Sequence, residues 1–368
     1  YTNTSSSFKA YDSIVRNNSA LTEDGGGAYL MTWLNYSSNA SATALFSNLS
    51  FVDNVAVNGV GGGLYRLGEV YAEVRDSSFW GNSGSEGGGL YLANGSSTFT
   101  NVSMVSNYGV GSGGGLKITG NETLVMDSSL LRLNIAGESG GGLYLGSEVQ
   151  VQTSDMLYSE NVANGSTGGG GAVYGEGSVM FSSEGDVFEG NQAKQGSGGG
   201  LYVAGVSQVT CSSCVLQNNT AYRHGGGMYT ESWDVSLEEG SMFLNNVAET
   251  GDGGGLYSSS STKLVLSAVS FEDNTAVDME GSHVFGRGGA IAFSLPIEFR
   301  LENVVIRKNK AVYGGGVYSP LDSVVTIRNS ILDSNIASMS GGGLYTNTSS
   351  SFKAYDSIVR NNLSLIHI

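Results

Sequence analysis

Proline and cysteine are nearly absent from this 368-residue chain, which contains only two of each. The scarcity of proline excludes a collagen triple helix, which also needs glycine at every third position. Two cysteines cannot supply the disulfide framework that stabilises small secreted domains. No apolar run approaches the roughly 20 residues that a membrane-spanning helix needs, so the sequence predicts no transmembrane segment.

Charged side chains are also scarce, at 14% of the residues, and acidic ones outnumber basic ones by 33 to 17. The formal net charge of −16 argues against nucleic acid and anionic membranes as partners, because both repel a negatively charged protein. Aromatic residues nevertheless reach 10% and apolar residues 40%, which is too much for a disordered chain. We therefore expect a folded protein.

Glycine is in excess, with 57 copies, and most of these lie in runs that recur about every 27 residues. Each run reads Gly-Gly-Gly, or Gly-Gly-Ala in two copies, and is followed by an apolar residue and usually by tyrosine. The runs begin at Gly25, Gly61, Gly87, Gly113, Gly140, Gly170, Gly198, Gly225, Gly253, Gly288, Gly314 and Gly341.

An asparagine precedes each glycine run, in a second motif that reads apolar-x-x-Asn. Six residues earlier, most copies carry Asn, Asp or Gly, which suit corners because they tolerate a left-handed backbone. We predict that the asparagines form an inner ladder at a corner, in which each amide bonds its copy in the next repeat. This ladder comprises Asn54, Asn82, Asn107, Asn134, Asn161, Asn191, Asn219, Asn246, Asn274, Asn309 and Asn335.

Between the corners the segments are short, alternate with period two and favour β-branched residues, as in Val324-Val325-Thr326-Ile327. Each repeat therefore predicts three short strands and no helix. Such a unit cannot bury its own apolar face, but it can when it stacks in parallel on its neighbours. The sequence predicts an all-β protein, a right-handed parallel β-helix of about 12 to 13 coils of roughly 27 residues, and a monomeric rod.

The residue after each glycine run is always apolar, so we expect it to face the core. The next position is usually tyrosine, but Lys117 and Ala292 also occupy it, and a column that accepts lysine is expected to face solvent. An exposed aromatic column could stack on sugar rings, although cross-strand stacking that stabilises the coil is the alternative. The candidate stacking positions are Tyr65, Tyr91, Tyr144, Tyr174, Tyr202, Tyr229 and Tyr257.

Two further features are candidate sites. Cys211 and Cys214 are close enough for a local disulfide, with two free thiols as the alternative. Insertions at 31–44 and 278–287 lengthen two repeats, and loops on a rigid scaffold often carry binding residues. We therefore expect a loop site that includes Trp33, Tyr36, His283 and Arg287.

The two ends of the chain depart from the repeat pattern. Residues 1–18 and 345–362 are identical, as expected from a recent duplication or from an assembly overlap. Residues 363–368 match the translation of a common transposon sequencing adaptor, so we expect them to be an artefact. We expect residues 1–362 to form a single repeat domain, a fragment of a longer protein.

The recurrent Phe-x-x-Asn and Gly-Gly-Ala-apolar motifs resemble the polymorphic outer membrane protein repeat family. The matching residues are Phe51/Asn54, Phe79/Asn82, Phe188/Asn191, Phe243/Asn246 and Phe271/Asn274, with the runs at 170–173 and 288–291. The resemblance implies an extracellular or cell-surface β-helix, associated with the outer membrane if bacterial, with a role in adhesion. Its implied partner is a surface protein or a glycan.

The rival class is a polysaccharide lyase or glycoside hydrolase built on the same scaffold. Such a site needs two or three carboxylates on neighbouring coils. Acidic residues do precede several glycine runs, among them Glu86, Glu138 and Asp252, but they do not share one column. No calcium-binding nonapeptide or phosphate loop is present, and we assign no catalytic residue, no metal ligand and no cofactor. The sequence favours a non-enzymatic scaffold for adhesion or interaction.

Overall fold

The computed structural model describes residues 7–31, 42–205, 207–232, 234–260, 263–277, 286–347 and 349–365. Throughout these ranges the regular structure consists of short strands, and no helix occurs among them. The strands form three parallel sheets, so the all-β parallel β-helix that the repeat predicted is confirmed.

The broad sheet has 24 strands, because most coils contribute two segments to it. Its first-limb strands are Ser7–Arg16, Ala42–Val52, Val70–Arg75, Ser96–Thr100, Glu122–Asp127, Val149–Ser154, Val179–Glu184, Gln208–Ser212, Asp234–Glu238, Lys263–Ser267, Glu298–Glu302, Val324–Arg328 and Ser351–Tyr355, of which the first two extend through the second limb. Its second-limb strands are Ser78–Trp80, Ser103–Val105, Leu130–Arg132, Leu157–Ser159, Val187–Glu189, Val215–Gln217, Met242–Leu244, Ser270–Glu272, Val305–Arg307, Ile331–Asp333 and Ile358–Arg360.

The other two sheets have one strand from each coil. The strands of the short sheet are Ser19–Ala20, Val55–Ala56, Ser83–Gly84, Tyr108–Gly109, Ile135–Ala136, Val162–Ala163, Gln192–Ala193, Thr220–Ala221, Val247–Ala248, Thr275–Ala276, Lys310–Tyr313, Ile336–Ser340 and Leu363–Ser364. Those of the tyrosine sheet are Ala28–Met31, Leu64–Leu67, Leu90–Ala93, Leu116–Thr119, Leu143–Leu145, Val173–Gly175, Leu201–Val203, Met228–Thr230, Leu256–Ser258, Ile291–Phe293, Val317–Ser319 and Leu344–Thr346.

The corners of each coil are made by residues with a left-handed backbone. In one coil, Asn94, Asn101 and Ser106 have φ of 58°, 52° and 56°, and each separates two strands. The corner at Asn101 is the one that the sequence predicted, and all eight predicted corner residues have positive φ: Asn48, Asp76, Asn101, Asp155, Gly185, Asn303, Asn329 and Asp356. The corner at Ser106 was not predicted, because in other coils residues such as Leu133 and Lys308 occupy it.

The glycine runs are required by two separate constraints. The first glycine of a run is left-handed, as at Gly87 with φ of 56°. The second lies against the next coil: a Cβ on Gly88 would be 2.4 Å from the carbonyl carbon of Tyr108, which no side chain can accommodate. The glycine excess therefore follows from a left-handed bend and from the close approach of stacked backbones.

The core is a continuous column inside the coils. Leu90, Leu116 and Leu143 pair in register from coil to coil and are completely buried, as predicted for the residue after each glycine run. Phenylalanine rings of the broad sheet also stack along the axis, with Phe51 and Phe79 only 4.8 Å apart and parallel within 2°. Burying a side chain of this size contributes about 1.5–3 kcal/mol to the free energy of unfolding, and this contribution recurs in each coil.

One ion pair lies inside this apolar column. Arg66 and Glu122 are both completely buried two coils apart, and the guanidinium donates to the Glu122 carboxylate and to Ser97 Oγ between them. Arg66 also donates to the Ala93 carbonyl at 3.0 Å. Burial raises the pKa of the Glu122 carboxyl, while the nearby Arg66 acts in the opposite direction. The pair ties three consecutive coils together through their interior.

Candidate functional site

The asparagines form a hydrogen-bonded ladder along one inner corner. The Nδ2 of each asparagine donates to the Oδ1 of the next, for example from Asn82 to Asn107 and from Asn107 to Asn134, both at 3.0 Å. The same Oδ1 also accepts the backbone N–H of the preceding asparagine, and the second Nδ2 proton goes to a carbonyl of the previous coil. These side chains are buried and fully engaged, so their geometry is that of a structural ladder.

The tyrosine column does not face solvent, and this corrects the expectation from sequence. Tyr144, Tyr174, Tyr202, Tyr229 and Tyr257 are each between 7% and 9% exposed. Their rings are parallel within 20°, with centroids 4.6 to 5.4 Å apart, so each ring covers the face of its neighbour. Tyr65 is also buried, and Tyr91 meets it edge to face at 5.3 Å.

Stacking of sugars on this column is therefore not supported. A sugar needs an open aromatic face, and both faces of the inner rings are occupied by other rings. The geometry instead matches the alternative, cross-strand stacking that stabilises the coil.

The two interruptions of the column explain why it tolerates lysine without being exposed. The Lys117 ammonium lies 4.3 Å from the centre of the Tyr144 ring and 2.8 Å from a Glu86 carboxylate oxygen. In the coil of Ala292, the guanidinium of Arg287 lies 4.9 Å from the centre of the Tyr318 ring. A paired cation thus replaces the missing ring, because a cation is attracted to an aromatic face. The inference from a tolerated lysine to a solvent-facing column was wrong for this reason.

Carboxylates bind the tyrosine hydroxyls at the edge of the column. Glu176 accepts hydrogen bonds from two consecutive rings, from Tyr144 through Oε1 and from Tyr174 through Oε2, the latter at 3.1 Å. Tyr229 donates in the same way to Glu231. Burial raises the pKa of the Tyr202 hydroxyl to about 12, and burial together with the carboxylates raises the pKa of Tyr144 and Tyr174 further.

Of the predicted loop site, only Arg287 belongs to the described residues; Trp33, Tyr36 and His283 lie outside them. The Arg287 guanidinium binds the buried Asp252 carboxylate through two nitrogens, with Nη2 at 2.6 Å from Oδ2. His224 stacks on Tyr257 at 4.5 Å and accepts the Asp252 backbone N–H through Nδ1. Arg287 is thus engaged in linking coils, which leaves its charge paired rather than available to a ligand.

The two cysteines are joined by a disulfide, the first of the two alternatives left open by the sequence. Both are buried, and Cys214 Sγ lies 3.2 Å from Ser183 Oγ. Ser183 and Thr153 donate to the carboxylate of Asp186, which is itself completely buried. Burial raises the pKa of Asp186. The disulfide and the polar side chains of Thr153, Ser183 and Asp186 thus form a buried cluster on the inner side of the corner, away from solvent.

Three of the acidic residues that precede glycine runs tie coils together. Asp24 accepts the Val60 backbone N–H at 2.9 Å, Glu86 pairs with Lys117, and Asp252 pairs with Arg287. Within the described ranges, no group of three His, Cys, Asp or Glu side chains is arranged to hold a metal ion. The contacts of Asp24, Glu86 and Asp252 between coils explain why acidic residues occur at these turns, and they assign no catalytic or metal-binding role to them.

A shallow groove of about 350 Å³ lies on the outer face of the broad sheet and crosses four coils. Strand register places its exposed side chains in two rows. One row contains Thr123, Gln150, Met180 and Gln208, and the other contains Val125, Gln152, Ser182 and Thr210. Every described residue that lines the groove is uncharged, in a protein with a net charge of −16.

One carboxylate lines a hollow beside this groove. A second hollow of about 410 Å³ shares Gln150 and Met180 with it and includes Asn121 and Glu148. Met180 is half exposed and Val125 is 37% exposed, so the groove offers apolar patches among its amides and hydroxyls. General acid–base cleavage of a glycosidic bond uses two carboxyl groups. Among the residues that line the two hollows, Glu148 carries the carboxylate, and Asp127 and Glu184 follow the lining residues Val125 and Ser182 by two positions on the same face of the sheet.

The sequence motifs did not predict this groove, although the outward positions of the strands carry a signal for it. Aligned by strand register, the row of Val125 is uncharged from Thr98 to Val265, between Glu73 and Arg300. The row of Gln150 meets a charge at Asp234. Finding the neutral stretch requires the register of the outward positions, which the repeat motifs alone do not give.

No helix that could span a membrane occurs in the part of the chain that the structure describes. No curated protein and no solved structure matches the chain. The family model described as "Right handed beta helix region" matches residues 88–276, slightly more than half of the chain. This match agrees with the parallel stacking of the three sheets and supplies the handedness. The chain belongs to the right-handed beta helix family.

Proposed function

We propose that this protein is a non-enzymatic, extracellular or cell-surface scaffold that binds a neutral glycan in the groove on the outer face of its broad sheet. The observation that carries the proposal is the uncharged lining of that groove across four coils. The groove extends roughly 14 Å along the axis, since adjacent strands are about 4.8 Å apart. The resemblance to surface-exposed repeat proteins supports the adhesive role.

The chemistry of the groove favours a neutral, hydroxyl-rich ligand. Gln150, Gln152 and Gln208 each present both a hydrogen-bond donor and an acceptor, which suits sugar hydroxyls. Met180 and Val125 supply apolar contacts for the C–H faces of a sugar ring. An anionic polysaccharide would find no cation in the lining and would be repelled by the net charge of the protein.

Binding of soluble neutral and anionic polysaccharides, measured by affinity electrophoresis and titration calorimetry, tests the proposal. Truncating Met180 to Ala should cost about 1 kcal/mol, a roughly fivefold rise in Kd, because the side chain would be buried by the ligand. The matched control is Met242→Ala, a similarly exposed methionine on the second limb of the broad sheet and outside the groove lining. Equal effects of the two substitutions, or binding confined to anionic polymers, would contradict the proposed site.

The rival enzymatic function is tested in the same samples. Incubation with each bound polysaccharide should release no fragments, as followed by reducing ends and by the absorbance of unsaturated sugars. Release that is abolished by Glu148→Gln would identify the acidic rim as catalytic and would overturn the non-enzymatic assignment.

A further inference from the structure

Five tyrosines form an unbroken stack along the axis of the tyrosine sheet. The stack runs from Tyr144 to Tyr257 in four steps, each with ring centroids no more than 5.4 Å apart. Phenol is among the most easily oxidised of protein side chains, and rings in van der Waals contact exchange electrons readily. The column therefore has the geometry of a path for one-electron oxidation.

Such a path also needs somewhere for the phenol proton to go. A buried phenol that loses an electron becomes a strong acid, so its oxidation is coupled to proton release. Glu176 receives the hydroxyl hydrogen bonds of both Tyr144 and Tyr174, one on each carboxylate oxygen. Because the carboxylate touches both hydroxyls, it can take a proton from one ring and return a proton to the other. Glu231 occupies the corresponding position beside Tyr229, and the Tyr229 hydroxyl bonds that of Tyr202, so a proton of Tyr202 can reach Glu231 through Tyr229. At the last ring the Tyr257 hydroxyl bonds that of the partly exposed Ser294, through which its proton can pass to solvent.

We propose that the stacked tyrosines of this protein, with Glu176 as the proton acceptor, form a relay that carries a tyrosyl radical along the coil axis. A one-electron oxidant removes an electron from Tyr144, whose hydroxyl proton passes to the Glu176 carboxylate and leaves a neutral phenoxyl radical. An electron from Tyr174 then reduces that radical. Glu176 returns its proton to Tyr144 and accepts the proton of Tyr174, so that the radical moves one ring along and no atom is lost.

The surroundings of the column suit a long-lived radical. Each of the five rings is at most 9% exposed, which limits quenching by solvent and coupling between the radicals of two protein molecules. The hydroxyls of Tyr144, Tyr174 and Tyr229 each donate to a carboxylate, so the oxidation of these phenols is coupled to proton transfer along that hydrogen bond. The run ends at Lys117 on one side and at Ala292 on the other, where the redox-active ring is missing. The relay is thus confined to five coils.

A tethered photo-oxidant tests the relay from one end. Glu86 contacts Lys117, which covers Tyr144, so a ruthenium polypyridyl complex on Glu86→Cys lies beside the first ring. The complex is attached without reductant, which preserves the native disulfide. After a flash with an external electron acceptor, radicals are trapped with nitrogen dioxide, and nitrotyrosine is mapped by mass spectrometry. Nitration is expected at Tyr257, the far end of the stack, as well as at Tyr144.

Two variants in the labelled protein separate radical transfer from a structural role. Tyr202→Phe keeps a ring in the stack but removes the oxidisable phenol, so nitration at Tyr257 should fall to background while nitration at Tyr144 persists. Glu176→Gln should slow transfer from Tyr144 to Tyr174 by about 100-fold, since the proton acceptor is lost. Tyr318→Phe, which lies beyond the interruption at Ala292, is the control and should change the nitration yield at neither Tyr144 nor Tyr257.

The outcomes are decisive in both directions. Nitration confined to Tyr144 in the otherwise unchanged labelled protein, or equal nitration of Tyr257 with and without Tyr202→Phe, would overturn the relay. Thermal melting of each variant, followed by circular dichroism, shows whether the coils are intact. A Tyr202→Phe variant that melts like its parent but no longer transmits the radical supports the relay and excludes a collapse of the column.

Discussion

Replacing Asn191 by Leu removes one rung of the asparagine ladder without a large change in volume. The Asn191 side chain is completely buried and makes four hydrogen bonds. Its Oδ1 accepts the backbone N–H and the Nδ2–H of Asn161, both at 3.0 Å, and its Nδ2 donates to the Tyr158 carbonyl and to Asn219 Oδ1, both at 2.9 Å. The substitution therefore leaves two buried donors on Asn161 without their acceptor.

The expected cost follows from these orphaned groups. Each buried donor left without a partner costs about 1–3 kcal/mol. Burial of the leucine side chain offsets about 1–2 kcal/mol of this loss. We expect a net destabilisation of about 2.5 kcal/mol, the centre of the range that these two terms give. The effect should be concentrated at the neighbouring rungs, because stability in a repeat protein is carried by contacts between adjacent coils.

Urea denaturation and amide hydrogen exchange measure this effect. The denaturation midpoint of Asn191→Leu should fall, and the backbone amide of Asn161 should lose protection. The matched control is Gln192→Leu, the next residue, which is exposed and should change stability by at most about 0.5 kcal/mol. An unchanged midpoint together with unchanged protection at Asn161 would refute the reasoning that the ladder stabilises the coil.

Three further predictions concern the bends and a buried acid. Gly199→Ala should lower the urea midpoint more than Gly200→Ala, because the added Cβ would lie 2.3 Å rather than 2.8 Å from the nearest carbonyl oxygen; equal effects would contradict the close-approach argument. Leu133→Asn should raise the midpoint by the equivalent of about 0.5–1 kcal/mol, because Leu133 is 40% exposed in a left-handed conformation that asparagine tolerates better; a fall would refute it. Burial raises the pKa of Asp186 above 3.8, so the folded state binds its proton more tightly, and stability should fall as pH rises from 3.8 through the raised pKa. Asp186→Asn should abolish this part of the pH dependence, whereas identical pH profiles of the two proteins would show that Asp186 does not titrate in that range.

Much of the fold could be predicted because the repeat presents the same evidence many times. A single Phe-x-x-Asn or Gly-Gly-Gly motif indicates little, but many copies in register leave stacking as the only way to bury the apolar positions. The corner at Asn101 was also predictable, since Asn, Asp and Gly recur there. The corner occupied by Leu133 and Lys308 was not, because tertiary stacking imposes the left-handed backbone there on residues that do not favour it.

The candidate sites were harder to predict, since they depend on what lies beside a residue rather than on its type. Lys117 indicated an exposed column, yet its charge is satisfied by Glu86 and by the face of Tyr144. Arg66 and Glu122 would be assigned to the surface by their chemistry, but they meet inside the core. Only the tertiary structure decides which coil supplies the charged partner that makes burial of such a side chain tolerable.

The scarcity of proline, cysteine and charged residues limits how this protein can be stabilised. Its stability has to come from the repeated burial of apolar side chains and from backbone hydrogen bonds between coils. The sequence by itself determined the repeat, its period, the apolar interior and the stacking of coils, because a short repeat of this kind can bury its apolar positions only against its neighbours. Only the tertiary structure decided that the tyrosines close on one another, that Glu176 bridges two hydroxyls and that a neutral groove crosses four coils. These features join residues about one repeat apart, and their contacts are set by the register between coils.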